Sequence, residues 1–239
     1  DDMTGELQKR ISHAENFSTD LVHEIRNPLA SLKSASEILN ETEDTMQRKK
    51  LINILSHDVQ RIERLITDYS QMLKDEVALS KEKKKKINLK DIAKSVVDDY
   101  NSIYKVKRGI DILLNQNSDD SDECFIYGIE NRIEQIMANL LDNSISFSDD
   151  NKKILVEIFR NKDNTISLKV IDQGKGFKEK ETNKIFDRFY SNRPDKFGEH
   201  SGLGLNIVKN LVDLHSASIV ASNNSNQSGA NIEIIFPKI

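Results

Sequence analysis

Between residues 17 and 29 the chain reads Phe-Ser-Thr-Asp-Leu-Val-His-Glu-Ile-Arg-Asn-Pro-Leu, which sets the imidazole of His23 beside the carboxylate of Glu24, with the amide of Asn27 four residues on. A neutral imidazole is a good nucleophile, and a neighbouring carboxylate can fix its tautomer and take up its proton as it attacks. One helical turn separates His23 from Asn27, so both side chains can face one reacting group. Pro28 has no N–H to bond back to the Glu24 carbonyl, which predicts a kink beside the histidine. Adjacent helix positions point about 100° apart, so Glu24 needs a bent rotamer or a local distortion to serve His23.

A second set of residues lies far downstream. Five of the nine glycines fall between positions 174 and 204. Asp172-Gln173-Gly174-Lys175-Gly176 ends a strand-like run; its glycines allow close backbone approach, and Asp172 can accept a hydrogen bond from a base amino group such as N6 of adenine. Gly202-Leu203-Gly204 opens a helical run whose backbone N–H groups can face phosphate oxygens. Asn139 and Asn143 stand at i and i+4 on one helix face, and amide oxygens suit Mg²⁺, a hard cation that shares phosphate oxygens. Each feature alone has a plainer reading as a turn, a helix opening or a pair of surface amides. About 25 mostly polar residues separate the two glycine groups, long enough to be a functional lid. Within them Ile185-Phe186-Asp187-Arg188-Phe189-Tyr190 supplies aromatic anchors and a cation; Arg188 can stabilise charge on a transferring phosphoryl group, whereas Arg193 and Lys196 read as solvated charges.

These groups need scaffolds. Leu7, Ile11, Ala14, Phe17, Leu21, Ile25, Leu29, Leu32, Ala35 and Leu39 recur every three or four residues, which predicts an amphipathic helix over about 4–40. A polar turn at 40–44 leads to a second helix with Leu51, Leu55, Ile62, Leu65, Tyr69 and Met72 at heptad-like spacing. A lone hairpin of this length cannot bury its stripe, so two hairpins paired as a four-helix bundle by homodimerisation is the simplest arrangement; a monomeric hairpin packed on the rest of the chain is the alternative. Lys81-Glu82-Lys83-Lys84-Lys85-Lys86 reads as solvated linker, dividing a hairpin (1–78) and a basic linker (79–88) from a second domain (89–239). There, helices are expected over 91–107, 130–143 and 203–214, and strands over 110–114, 124–127, 154–159, 165–171, 218–222 and 231–236. That mixture predicts an α+β fold, a mixed sheet with helices on one face.

Composition narrows the classes. Hydrophobic residues make up 37% and charged residues 31%, with no tryptophan, which suits long solvated helices plus one modest core. A net charge of −4 gives no reason to expect nucleic acid or a bulk membrane surface as partner. Cys124 is the single cysteine, so an internal disulfide or a multi-cysteine metal site is excluded. Apolar runs fall well short of the roughly 20 residues needed to cross a bilayer. The abrupt start within a helical pattern predicts a piece of a longer protein whose remainder carries membrane spans.

In this order the motifs resemble the H, N, G1, F and G2 boxes of sensor histidine kinases over about residues 4–239, with flanks most like those of proteobacterial membrane kinases that sense acidity or envelope state. The resemblance implies an all-α dimerisation and phosphotransfer hairpin followed by an ATP-binding, two-layer α+β sandwich of the Bergerat (GHKL) type. It implies that His23 is the phosphoacceptor, Glu24 its base, and Asn27 the residue that positions water when the phosphorylated partner is dephosphorylated. Asn143 matches the usual Mg²⁺ ligand, Asn139 a phosphate or metal contact, Asp172 the adenine contact and Phe147 an aromatic against adenine. Gly174, Gly176, Gly202, Leu203 and Gly204 match the segments that shape the site. Ser146 stands where many relatives carry Lys or Arg, and His200 where many have the first glycine of the last box. The implied activity is an ATP:protein-histidine phosphotransferase that passes its phosphoryl group to a response-regulator receiver domain, as the cytoplasmic portion of a bacterial inner-membrane protein. The alternatives are a Bergerat-fold ATPase without a phosphohistidine and a non-enzymatic dimeric scaffold.

Overall fold

The computed structural model describes residues 2–79, 82–116, 124–178, 182–190, 202–224 and 228–239; Arg193, Lys196 and His200 lie outside the described residues. The chain folds as two compact units, a helical hairpin and an α/β unit comprising Ala78–Tyr190 and Gly204–Ile239. Among the described residues no helix is long and apolar enough to cross a membrane.

The hairpin consists of α1 (Asp2–Glu41) and α2 (Thr45–Leu79). α1 continues as helix through Pro28, which is buried. At the turn the Asp44 carboxylate accepts from the Met46 N–H at 2.9 Å, capping α2. Arg48 donates to the Leu39 and Thr42 carbonyls, both at 2.9 Å, satisfying groups that the end of α1 leaves open. Burial on α2 recurs every seven residues at Leu51, Asp58 and Leu65. One position round the helix, Ile52, Val59 and Ile66 form a parallel heptad stripe that stays about half exposed, as do Val22 and Leu29 on α1. The sequence pattern named Leu51 and Leu65 of the first α2 stripe but not Asp58, and none of the second.

The α/β unit contains β1 (Lys85–Asn88), α3 (Leu89–Arg108), β2 (Asp111–Gln116), β3 (Phe125–Gly128), α4 (Glu130–Phe147), β4 (Lys153–Arg160), β5 (Ile166–Ile171), a short 3₁₀ helix (Thr182–Phe186), α5 (Gly204–Leu214), β6 (Ser218–Asn223) and β7 (Ala230–Phe236). The main sheet runs β2-β4-β5-β7-β6, antiparallel except for the parallel β2–β4 pair. Register lines up Val156, Val170, Ile232 and Ala221 in one row and Ile158, Leu168, Ile234 and Ile219 in the next. These rows join Ile133, Met137, Leu140 and Leu141 of α4 and Val208, Leu211 and Val212 of α5 in one core. The other face mixes apolar residues such as Leu155, Phe159 and Ile235 with polar ones: Ser167 donates to Glu233 at 2.8 Å and Lys169 pairs with Glu233 at 3.4 Å. Strand alternation of period two against helical stripes of period 3.6 produces this two-layer α+β sandwich.

Part of the expected linker is structured. Lys85–Asn88 pairs antiparallel with β3, Ile87 is buried, and Asn88 accepts from the Lys90 N–H at 3.2 Å to cap α3. The reason is that lysine stems can line a sheet: Lys86 Nζ stands 4.1 Å from the centre of the Phe125 ring. α4 runs on past residue 143 because Ser144 and Ile145 continue its buried stripe. Arg108 caps its end, donating to the Ile145 and Ser148 carbonyls at 2.7 and 2.8 Å and pairing with Asp150 at 2.7 Å.

Candidate functional site

α4 is the spine of the site. Ile133, Ile136, Met137, Leu140, Leu141 and Ile145 turn one side of it into the core and leave Asn139 and Asn143 half-buried on the adjoining side. The Asn139 amide donates to the Gln135 carbonyl at 2.9 Å. Gly204, the first residue of α5, faces the two amides: a Cβ there would lie 3.1 Å from Asn139 Oδ1 and 3.9 Å from Asn143 Nδ2. Glycine keeps that space open between a helix N-terminus and two amide side chains.

Other residues fix the helix. The Tyr100 hydroxyl donates to the Asp142 carboxylate at 3.0 Å, and burial together with that carboxylate pushes the phenol far above its ordinary pKa. His215 accepts from the Ile129 N–H through Nε2 at 3.1 Å and donates through Nδ1 to the Leu211 carbonyl at 2.7 Å, joining the end of α5 to the start of α4. Burial holds its pKa below the usual histidine range, so the ring is neutral. Arg132, almost fully buried, is gripped by both oxygens of Glu82, at 3.2 and 3.3 Å.

Asp172 ends β5 beside the last turn of α4. Its Oδ1 accepts from the Gly174 N–H at 2.8 Å and the Ala230 N–H at 3.0 Å, and the Ser144 hydroxyl bonds to the same carboxylate. Burial pushes its carboxyl above the usual range, against the pull of those three bonds. Gly174 passes so close to α4 that a Cβ would stand 2.6 Å from the Phe147 carbonyl, and Gly176 adopts φ +71°. Gly229, at φ +143°, lies where any Cβ would collide with the Asp172 carbonyl. The Phe147 side chain is exposed at the helix end. The structure therefore gathers Asp172, Gly174, Gly176 and Phe147 at one end of a strip along α4, and Asn139, Asn143 and Gly204 along its middle.

The remaining predicted residues are placed as follows. Gly202 has φ +74° and Leu203 is buried, so Leu203 offers backbone rather than side chain. Arg188 is half-buried just after the 3₁₀ helix, whose Phe186 is buried and whose Phe186 carbonyl accepts from Asn206 at 2.9 Å. Ser146, where a basic residue was noted as missing, donates to the Asn143 carbonyl at 3.2 Å. On the hairpin His23 and Asn27 are exposed one turn apart. Glu24 is turned to α2, where Arg61 donates to its Oε2 at 3.0 Å. Sequence reasoning passed over Arg61, Ser144, Asn223, Ser228 and Gly229. Only Gly229, a glycine opening the last apolar strand, carried a readable signal.

Comparison with known proteins bears on both units. Residues 14–77 match the family model of the His Kinase A (phospho-acceptor) domain, and residues 128–239 match that of the histidine kinase-, DNA gyrase B- and HSP90-like ATPase. The chain is 34% identical over 95% of its length to the sensor protein ChvG of Rhizobium meliloti (strain 1021), and 26% identical over 97% to the sensor protein kinase PmrB of Pseudomonas aeruginosa. It spans 40% and 47% of those proteins respectively. A crystal structure of histidine kinase ThkA with the response regulator protein TrrA is similar in fold, with a TM-score of 0.67 at 24% identity over 97% of this chain and 64% of that one. A phospho-acceptor helix pair and an ATPase sandwich in that order, with His23 in the first and the α4 strip in the second, make this chain a member of the sensor histidine kinases of two-component systems.

Proposed function

We propose that the chain is an ATP-dependent protein-histidine kinase that phosphorylates itself on His23 and passes the phosphoryl group to an aspartate of a response-regulator receiver domain. The observation that carries the reading is the exposed His23, beside Glu24 and one turn from Asn27, inside the segment that matches the phospho-acceptor family. In this reading an imidazole nitrogen of His23 attacks the γ-phosphorus of ATP. The bond from that phosphorus to the β–γ bridging oxygen breaks, ADP leaves, and the ring proton passes to Glu24. Arg61 steadies Glu24 from α2, donating to its Oε2. The labile N–P bond then suits onward transfer, and Asn27 is the residue to orient water when the partner is dephosphorylated.

The ATP-binding domain, 89–239 together with β1, holds the substrate. Asp172 accepts the adenine amino group, Phe147 flanks the base, and Gly174, Gly176, Gly202 and Gly204 let backbone approach it. The donor set fits Mg²⁺: Asn143 is its ligand and Asn139 a phosphate or metal contact, since two amides in the space kept by Gly204 suit a hard cation that arrives with phosphates. Bound there, Mg²⁺ would neutralise charge on the phosphate oxygens. Arg188 adds a cation toward the transferring group. The partner of the hairpin (1–78) is a second copy: the exposed heptad stripe Ile52, Val59, Ile66 with Val22 and Leu29 has the composition of a bundle interior. The reading also makes the chain the cytoplasmic portion of a longer bacterial inner-membrane sensor, supported by relatives of which it spans 40 to 47%.

Incubation with ATP labelled at the γ-phosphorus tests this. Label is expected on the protein, stable in base and labile in acid, and lost in His23→Gln. Label that survives the substitution refutes the acceptor; phosphate released with no labelled protein points to a plain ATPase.

A further inference from the structure

Irregular backbone follows β5 through the glycine turn 172–178, and such backbone must find hydrogen-bond partners. It finds them on the β6–β7 connection. Asn223, the last residue of β6, grips Phe177 at two points: its Oδ1 accepts from the Phe177 N–H at 2.6 Å and its Nδ2 donates to the Phe177 carbonyl at 2.8 Å. Ser228 donates from Oγ to the Gly174 carbonyl at 2.6 Å. Ala230 then donates to the Asp172 carboxylate, and its carbonyl accepts from the Asp172 N–H, both at 3.0 Å. Contact is close enough to demand glycine at Gly176, where a Cβ would lie 2.7 Å from Asn223 Oδ1.

We propose that Asn223 and Ser228 are positioning residues for the base end of the nucleotide: they hold the turn 174–177 in its ligand-ready shape, so that Asp172 and the glycine backbone meet the purine without first being ordered. This deepens the ATP-binding reading and rests on it. Neither side chain needs to touch nucleotide. A turn that must order itself on binding loses affinity, whereas chemistry at the phosphate end is unaffected once the site is filled.

The test uses the full chain and the variants Asn223→Ala, Ser228→Ala and Asn223→Asp, the last keeping the acceptor but losing the donor. Binding of ADP and of adenosine is measured by calorimetry, and autophosphorylation is measured against ATP concentration. Asn223→Ala is expected to weaken ADP and adenosine alike by roughly tenfold and to raise KM for ATP by that factor, with kcat at saturation within about twofold. Ser228→Ala and Asn223→Asp should fall between it and the unaltered chain. The Mg²⁺ concentration that gives half-maximal rate should not move. Unchanged affinities in Asn223→Ala and Ser228→Ala overturn the proposal, as does a fall in kcat with KM unmoved. Both side chains are exposed, and if Asn223→Ala melts, unchanged binding by Ser228→Ala overturns the proposal on its own. Failure of the unaltered chain to bind either ligand refutes the nucleotide reading itself, an outcome separate from failure of the clamp.

Discussion

Replacing Asp172 by asparagine separates what this carboxylate does for a ligand from what it does for the fold. Oδ1 holds two backbone donors, the N–H groups of Gly174 and Ala230. An asparagine carbonyl oxygen can keep both. The other oxygen becomes an amide NH₂, which sets a donor against the adenine amino group, itself a donor. The loss is one hydrogen bond to a charged acceptor, about 1.5–3 kcal/mol, or roughly 10- to 100-fold in Kd. Stability should respond in the opposite sense. Asp172 is 5% exposed, and burial pushes its carboxyl pKa upward, so the folded state holds the proton more tightly than the unfolded state. The buried charge therefore opposes folding at neutral pH, and a neutral amide relieves it. Calorimetry with ADP and a thermal scan read the two effects together. The expected result is weaker binding with a midpoint unchanged or raised. Binding within about threefold of the original, or a midpoint lowered by more than roughly 4 °C, would refute the reasoning, because the carboxylate would then be a structural brace. Protonation gives a second check: ADP affinity of the unaltered chain should fall as pH drops through the raised pKa of Asp172, and that dependence should vanish in Asp172→Asn.

Three further outcomes follow from the same structure. His215 has a pKa below 6.5 in the fold and accepts from the Ile129 N–H, so the unfolded chain binds the extra proton; stability should fall as pH drops below about 6.5 and level off under the folded pKa, and His215→Gln should flatten that slope in urea titrations. Glu82→Gln leaves Arg132 buried with a weaker partner and should lower stability by about 1–3 kcal/mol in denaturant unfolding, with charge-reversal of both residues restoring part of it. Val59→Glu places a charge in the exposed heptad stripe and should convert a dimer to monomer in sedimentation without melting the helices, whereas an unaltered mass would show that the second copy docks elsewhere.

The elements that were legible in the sequence were those set by side-chain period. Alternation over 154–159 and 165–171 located β4 and β5 to within a residue or two because one face of each strand is core. β1 was hidden because its Lys-Lys-Ile-Asn pattern is too short to alternate and its lysines read as solvent charge; only the β3 partner reveals it. Within the site, residues chemically fit to touch a ligand stood out by type: Asp172, the asparagines and the glycines. Those that hold them did not, because a serine such as Ser144 or Ser228 acquires meaning only from what the fold brings opposite it. Arg61 is the same case on the hairpin, 37 residues from Glu24 in sequence and 3.0 Å away in space.

That division has a physical consequence for how the site works. α4 is tied at its start by His215, at its middle by Tyr100 to Asp142 and at its end by Arg108. Tyr100 and Arg108 belong to α3 and His215 follows α5, so two elements grip the helix at three points and it cannot slide or rotate without breaking several bonds at once. The amides of Asn139 and Asn143 and the Ser144 bond to Asp172 therefore keep fixed spacings along one rigid rod. A nucleotide bound along it would have base and phosphates gauged by the same helix, with the 174–177 turn already held at the base end by Asn223 and Ser228. Preorganisation of this kind lowers the ordering cost of binding and reserves motion for the step that delivers the phosphoryl group to histidine.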